Sequence, residues 1–331
     1  MPKYADLRIR YNDLNNTGYS ELILHDSKRP NDRLPSFIYK VHTSKKINRI
    51  INLPFKHIWK KRKIVFPYIA ERFSNSNPLC FLIYARYFHF LEEHRKSFLE
   101  YLREKYNNCK IVLYFSDLQS NYDINVQANE LTFDAIISFD KQDALQNNFL
   151  YYGEQPFSTC NIKRDPLLPQ NDVSFVGKAK ERLGEIITVF ELLNDNGLTC
   201  DFHIVGAQAS EQKYSKYINY HNYSIDYYRL LQHVISTKCI LEIVQRDGKS
   251  HTPRISEAIY YGKKILSNCQ ELMKKPFYNP EYISIYSDPQ KVDIEFIRSD
   301  ISHIDYNYKQ HLSPLRLINF IDSHFSQIGH Y

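Results

Sequence analysis

Glycine is scarce in this chain, with 9 residues in 331, and no two of them are arranged as G-x-G-x-x-G. A nicotinamide enzyme built on that fingerprint is therefore excluded, since its pyrophosphate loop needs glycine at the tight turn and at the close backbone approach. There is no G-x-x-x-x-G-K-[ST], which removes the P-loop ATPases and kinases, and no G-x-S-x-G, which removes the α/β-hydrolase elbow. No D-x-D triplet occurs, which argues against the single-domain, metal-dependent sugar transferases. No histidine pair has zinc-ligand spacing on a helix, and no metal ligand set is expected. His203 lies in a strand-like run and reads as structural, a lone histidine without a partner.

Long apolar runs are also missing, so nothing approaches the length of a membrane-spanning helix. The first residues, Met1-Pro2-Lys3-Tyr4-Ala5-Asp6, lack the apolar core of a signal peptide, and a cytoplasmic protein is expected. The six cysteines are scattered without a C-x-x-C pair, which suits reduced, mostly buried thiols rather than a disulfide frame.

What is present in quantity is aromatic and basic. Tyr (27) and Phe (20) are abundant, and the formal net charge is +6. Part of that charge is local. Lys45, Lys46, Arg49, Lys56 and Lys60 to Lys63 crowd one segment, interleaved with Ile50, Ile51, Phe55, Ile58 and Trp59. Such a segment suits peripheral contact with an anionic membrane face, and equally a solvated helix whose apolar side packs inward. No nucleic-acid fingerprint accompanies it, and no nucleic-acid partner is expected.

The order of elements is alternating β and α. Short apolar runs at 79–84, 110–115, 134–139 and 149–152 read as strands of a first series, with helices over about 91–106 and 141–147. Before residue 79, Leu7 to Tyr11 alternates like a strand and Phe37 to Ile51 looks helical. Residues 161–171 hold Pro166 and Pro169 and no periodicity, and read as a linker. A second series follows: strands at 173–177, 200–206 and 239–244, with helices from Leu183 and over about 225–236. Two such series imply an α/β protein of two Rossmann-like doubly wound domains facing across a cleft, residues 1–160 and 172–310. A C-terminal helix within 311–331 is expected to pack back on the first domain. In such sheets ligands sit beyond the carboxyl ends of the strands, which directs attention to the loops after Gly177, Gly206 and Val244.

The segment His251 to Asn268 follows the last of these strands. Thr252 suits an N-cap, Pro253 the first helical position, and Gly262 the stop before a strand at Ile265-Leu266. Arg254 then falls in the first turn, where unpaired backbone N–H groups already favour an anion, and Glu257 lies one turn along the same face. That pattern can hold a nucleotide diphosphate and its ribose hydroxyls; the same residues also make an ordinary capped helix with a surface ion pair.

Asp172 to Leu183, Asp201 to Gly206, and Cys239 to Gln245 followed by Thr252-x-Arg254-x-x-Glu257-Ala258 and Gly262 to Asn268 resemble the nucleotide-sugar domain of GT-B glycosyltransferases. The likeness is to bacterial enzymes of surface-polysaccharide synthesis, and Phe139 to Ala144 and Pro156-Phe157-Ser158 share it. The resemblance implies a metal-independent transferase of the hexosyltransferase class with no cofactor. It would move a sugar from a nucleotide-diphosphate donor, a UDP-sugar favoured, to a glycan or lipid-linked acceptor at the inner membrane face. Carried over by position, Glu257 would accept from the ribose hydroxyls. Arg254 and Thr252 would hold the diphosphate, and Lys178 and Arg182, in and after the Gly177 loop, would add charge near it. Gly206 would close the second strand of the same domain. Many retaining members carry a glutamate eight positions before this one; here that position is Lys249. An inverting reaction needs a base, for which Asp117, in the polar loop after a first-domain strand, is the candidate and His42 the second; Asp117 also suits a turn or helix cap. A protein of this form that binds a nucleotide or sugar without catalysis is the alternative.

Overall fold

The computed structural model describes residues 10–13, 80–89, 95–106, 108–122, 124, 130–159, 162–223, 225–244 and 252–327. The expected helix over 37–51, the basic segment 45–63, His42, Lys249 and His251 lie outside them. The chain divides into two compact units: Glu21–Tyr152, and Gly153–Tyr331 joined by Lys3–Ser20. The division falls at residues 152 and 153, ahead of the linker expected over 161–171, and the C-terminal helix belongs to the second unit.

The first unit holds β1 (Cys80–Tyr84), α1 (Ala85–His89), α2 (Arg95–Lys105), β2 (Lys110–Phe115), β3 (Ala135–Ser138), α3 (Lys141–Asn147) and β4 (Leu150–Tyr151). The strands form one parallel sheet in the order β1-β2-β3-β4, with Leu82 opposite Val112 and Tyr114 opposite Ile137. Ile111 to Phe115 are fully buried, as expected of a parallel strand covered on both faces. α2 lays Phe98, Leu99 and Leu102 on this core. Its buried Arg95 donates to the carbonyls of Phe88 and His89, which satisfies the open end of α1.

The second unit holds β5 (Asn171–Lys178), α4 (Leu183–Asp195), β6 (Cys200–Val205), β7 (Ile218–His221), α5 (Tyr227–Ile235), β8 (Thr237–Glu242), α6 (Pro253–Tyr261), β9 (Lys264–Ser267) and β10 (Ile283–Ile285), then α7 (Ile294–Arg298), α8 (Lys309–Leu312) and α9 (Pro314–Gln327). Its six strands are all parallel, in the order β10-β9-β8-β5-β6-β7. The chain winds outward from β5 through β6 to β7, then crosses back and winds the other way from β8. This is a doubly wound, Rossmann-like sheet, and β5 and β8 flank its topological switch point.

Alternation along the strands separates the two faces. Val173, Phe175, Phe202, Ile204, Cys239 and Leu241 meet α4, which contributes Ile186, Val189, Phe190 and Leu193. Ile240 and Ile265 point the other way, to Leu231 and Val234 of α5 and Ile255, Ala258 and Ile259 of α6. The short segment at Arg10 and Tyr11 joins this unit: Tyr11 bridges Ser158 in parallel, and the Ser158 N–H donates to the Arg10 carbonyl at 2.7 Å. Among the described residues no helix is long and apolar enough to cross a membrane.

Candidate functional site

The carboxyl ends of β5 and β8 carry the residues that the second unit gathers at its switch point. At the end of β5, Gly177 leaves room for two side chains that approach its backbone closely. A Cβ there would sit 2.9 Å from the Phe175 ring and 3.2 Å from the Arg182 guanidinium. That guanidinium stacks over Phe175 at 5.7 Å, and its Nε donates to the Lys178 carbonyl at 3.2 Å. Its Nη1 donates to the Ile243 carbonyl. Arg182 thus ties the β5 loop to the end of β8 across the switch point, and the Lys178 side chain beside it is exposed. Gly206 ends β6 at φ +80°, a left-handed turn that glycine adopts without cost, and its N–H donates to His221 at 2.9 Å.

α6 starts as its sequence dictates. The Thr252 hydroxyl accepts from the Arg254 N–H at 3.2 Å, Pro253 takes the first turn, and Gly262 at φ +60° ends the helix. Arg254 turns inward. Its side chain is 15% exposed and its Nη1 pairs with Glu257 Oε2, while the Glu257 side chain is fully buried. The guanidinium lies 5.9 Å from the centroid of the Tyr227 ring, and the Tyr227 hydroxyl donates to Glu257 Oε1 at 2.6 Å. Glu257 Oε1 thus accepts a hydrogen bond from the first residue of α5, while Oε2 is in ion-pair contact with Arg254. Burial pushes the Glu257 carboxyl up, against the pull of Arg254, Tyr227 and Arg10. Burial likewise pushes the Tyr227 hydroxyl well above its ordinary value, and the Glu257 charge adds to it. Arg10 is buried nearby, held by the Pro156 carbonyl at 3.0 Å and Gln155 Oε1 at 3.4 Å. The Gln155 carbonyl accepts from Ser256 at 2.9 Å.

Glu242, the last residue of β8, completes the cluster. It is 3% exposed, and burial pushes its carboxyl up against the pull of Arg182, Thr252 and Arg254. Its Oε1 has no hydrogen-bond partner among the described residues. The arrangement offers a helix N-terminus, a braced guanidinium and a second guanidinium at one end of one sheet, which is a chemistry for holding an anion.

Gly177, Arg182, Thr252, Arg254 and Glu257 thus come together, with Lys178 at the rim and Gly206 two strands away from β8. Asp117 belongs to the other unit. It is exposed, and its Oδ1 accepts from the Leu118 N–H and the Asn121 amide, both at 2.9 Å, as a turn aspartate does. Sequence reading missed Tyr227, Arg10 and Glu242. Of these only Glu242 carried a signal, a lone acid at the end of the apolar run Cys239 to Val244. It also read His203 as solitary, whereas His203, Asp201, His221 and His233 meet on one face of the sheet.

No family model and no curated protein matches the sequence. Among solved structures, the chain resembles an apo structure of OtsA at 12% identity and a TM-score of 0.40, over 66% of this chain and 64% of that one. A UDP-forming α,α-trehalose-phosphate synthase from Burkholderia xenovorans matches at 10% identity and 0.37, over 70% and 66%. A structure described as trehalose-6-phosphate from E. coli bound with UDP-2-fluoro glucose matches at 12% and 0.38, over 68% and 65%. The match thus spans slightly under two thirds of the length of each of these structures.

Proposed function

We propose that this protein is a glycosyltransferase that takes a sugar from a nucleotide-diphosphate donor, its pyrophosphate held at the start of α6. The single observation that supports this reading is the Arg254 guanidinium, fixed beside a capped helix N-terminus at the switch point of a doubly wound sheet. Transfer leaves growing negative charge on the departing diphosphate. A cation already held in place stabilises that charge without reorganising at the moment of reaction. Glu257 and Tyr227 serve as positioning residues for Arg254, and Arg182 and Lys178 add positive charge at the neighbouring strand end. A UDP-sugar is the first donor to test. The acceptor is a glycan or lipid-linked glycan of bacterial surface-polysaccharide synthesis, met at the inner membrane face through residues 45–63.

Thermal shift with UDP, GDP, dTDP and CMP, followed by nucleotide release from the matching sugar donor, tests the reading. One nucleotide stabilises the protein well above the others, because a ligand that binds only the native state raises its stability. Arg254→Ala lowers transfer by roughly 100- to 1,000-fold, the size of effect seen when one preorganised charge-stabilising donor is removed. Unchanged transfer by a folded Arg254→Ala variant refutes the assignment. The engagement of Asp117 in its own turn favours a second reading, a nucleotide-binding protein of this form without catalysis. That protein shows the same thermal shift and releases no nucleotide.

A further inference from the structure

A second cluster lies toward the opposite end of the same sheet. Asp201 and His203 are two residues apart on β6, so both side chains leave the same face, the one covered by α5. His233, in the last turn of α5, comes down on them. The Asp201 carboxylate is shared: Oδ1 lies 2.9 Å from His203 Nε2 and Oδ2 lies 2.6 Å from His233 Nδ1. One ligand atom from each of the three residues falls within 4.8 Å of the others. The His203 and His233 side chains are each 11% exposed and that of Asp201 21%, so the group is largely enclosed. His203 Nδ1 is in turn 2.9 Å from His221 Nε2, on the edge strand β7.

We infer that Asp201, His203 and His233 form a binding site for a divalent transition-metal ion of the zinc class, with His221 as the outer partner that orients His203. The donor set is two imidazoles and one carboxylate, the set such ions take when three protein groups leave a further position for water. The spacing fits. Zinc sits about 2.0–2.1 Å from imidazole nitrogen and about 2.0–2.2 Å from carboxylate oxygen, which places neighbouring ligand atoms roughly 3.3 Å apart in a tetrahedron. The two nitrogen–oxygen separations, 2.9 and 2.6 Å to different oxygens of Asp201, are hydrogen-bond distances roughly 0.4–0.7 Å shorter than that spacing, so a bound ion replaces these two hydrogen bonds. A hydrogen bond from the far nitrogen of a ligating histidine is what fixes its tautomer and ring plane, and with Nε2 on a metal His203 would have His221 Nε2, 2.9 Å from its Nδ1, as the acceptor for that bond. The site is separate from the anion-binding end: α5 places Tyr227 against Glu257 at its first turn and His233 here in its last, about 9 Å along the helix.

The test uses the full chain without an affinity tag, stripped with chelator, dialysed against zinc chloride and assayed for bound metal. The expected result is one zinc per chain, lost in His233→Gln, whose amide keeps a donor for Asp201 but is a poor zinc ligand. Zinc raises the melting temperature of the unaltered protein and leaves that of His233→Gln where it was. X-ray absorption at the zinc edge of the unaltered protein reads the ligands without any variant: imidazole nitrogen with carboxylate oxygen supports the site. A protein that retains no zinc, a His233→Gln variant that retains all of it, or a first shell dominated by sulfur overturns the inference.

Discussion

Gly262 shows how much one residue carries. Its φ of +60° closes α6, and a Cβ there would meet the Ile304 backbone carbonyl oxygen at 2.7 Å. The left-handed conformation alone costs an ordinary residue about 1–2 kcal/mol, and the clash is with main chain that has no rotamer to yield. Gly262→Ala is therefore expected to lose about 2 kcal/mol or more of stability, read as a lowered urea midpoint at unchanged slope. A midpoint equal to that of the unaltered protein contradicts the geometry. This residue was legible in advance, because a glycine after an amphipathic run signals a C-cap. Arg254 and Glu257 were legible as a pair for a similar reason, three residues apart on one helix. The Tyr227 hydroxyl on Glu257 was not, because the two are 30 positions apart and no local period connects them. Asp201 and His203 alternate on a strand, a pattern that announces a shared face, but the arrival of His233 from α5 is a tertiary event.

At the scale of elements, a cap decides whether a short helix holds together. α3 has seven residues, too few to be stable by propensity. Asp140 accepts from the Gln142 and Asp143 N–H groups, both at 2.9 Å, and Asn148 closes the other end at φ +55°. Asp140→Ala should cost about 1 kcal/mol, with amide exchange at Gln142 and Asp143 accelerated before the rest of the unit. Protection that stays even along the helix counts against the cap as its anchor. The helix appears over the residues that the sequence suggests, and so do the central strands β2, β5 and β6, the apolar run of β2 being buried on both faces. Two strands escaped sequence reading. β7 is four residues of mixed polarity at a sheet edge, half-exposed for most of its length, and β10 is three residues long at the other edge. An edge strand needs little apolar surface, so its composition does not distinguish it from a loop.

At the scale of the whole chain, each unit has a sheet and a core of its own, the first around Phe88, Leu99 and Ile111, the second on both faces of its six strands. The proposed anion site is built from residues of the second unit alone: Arg182, Glu242, Thr252, Arg254 and Glu257, with Tyr227 and Arg10 behind them. A nucleotide bound there stabilises the unit that holds it. At about 100 times its dissociation constant it adds about 2.7 kcal/mol, which slows by roughly 100-fold the exchange of amides that open only when that unit unfolds. Hydrogen exchange with and without UDP should therefore slow the amides of β5, β8 and α6, and leave those of β1 to β3 at their former rates. Slowing confined to β1–β3 moves the nucleotide to the other unit and removes Arg254 from its site. Slowing at β5, β8 and α6 that vanishes in Arg254→Ala ties the stabilisation to the one side chain on which the proposed chemistry turns.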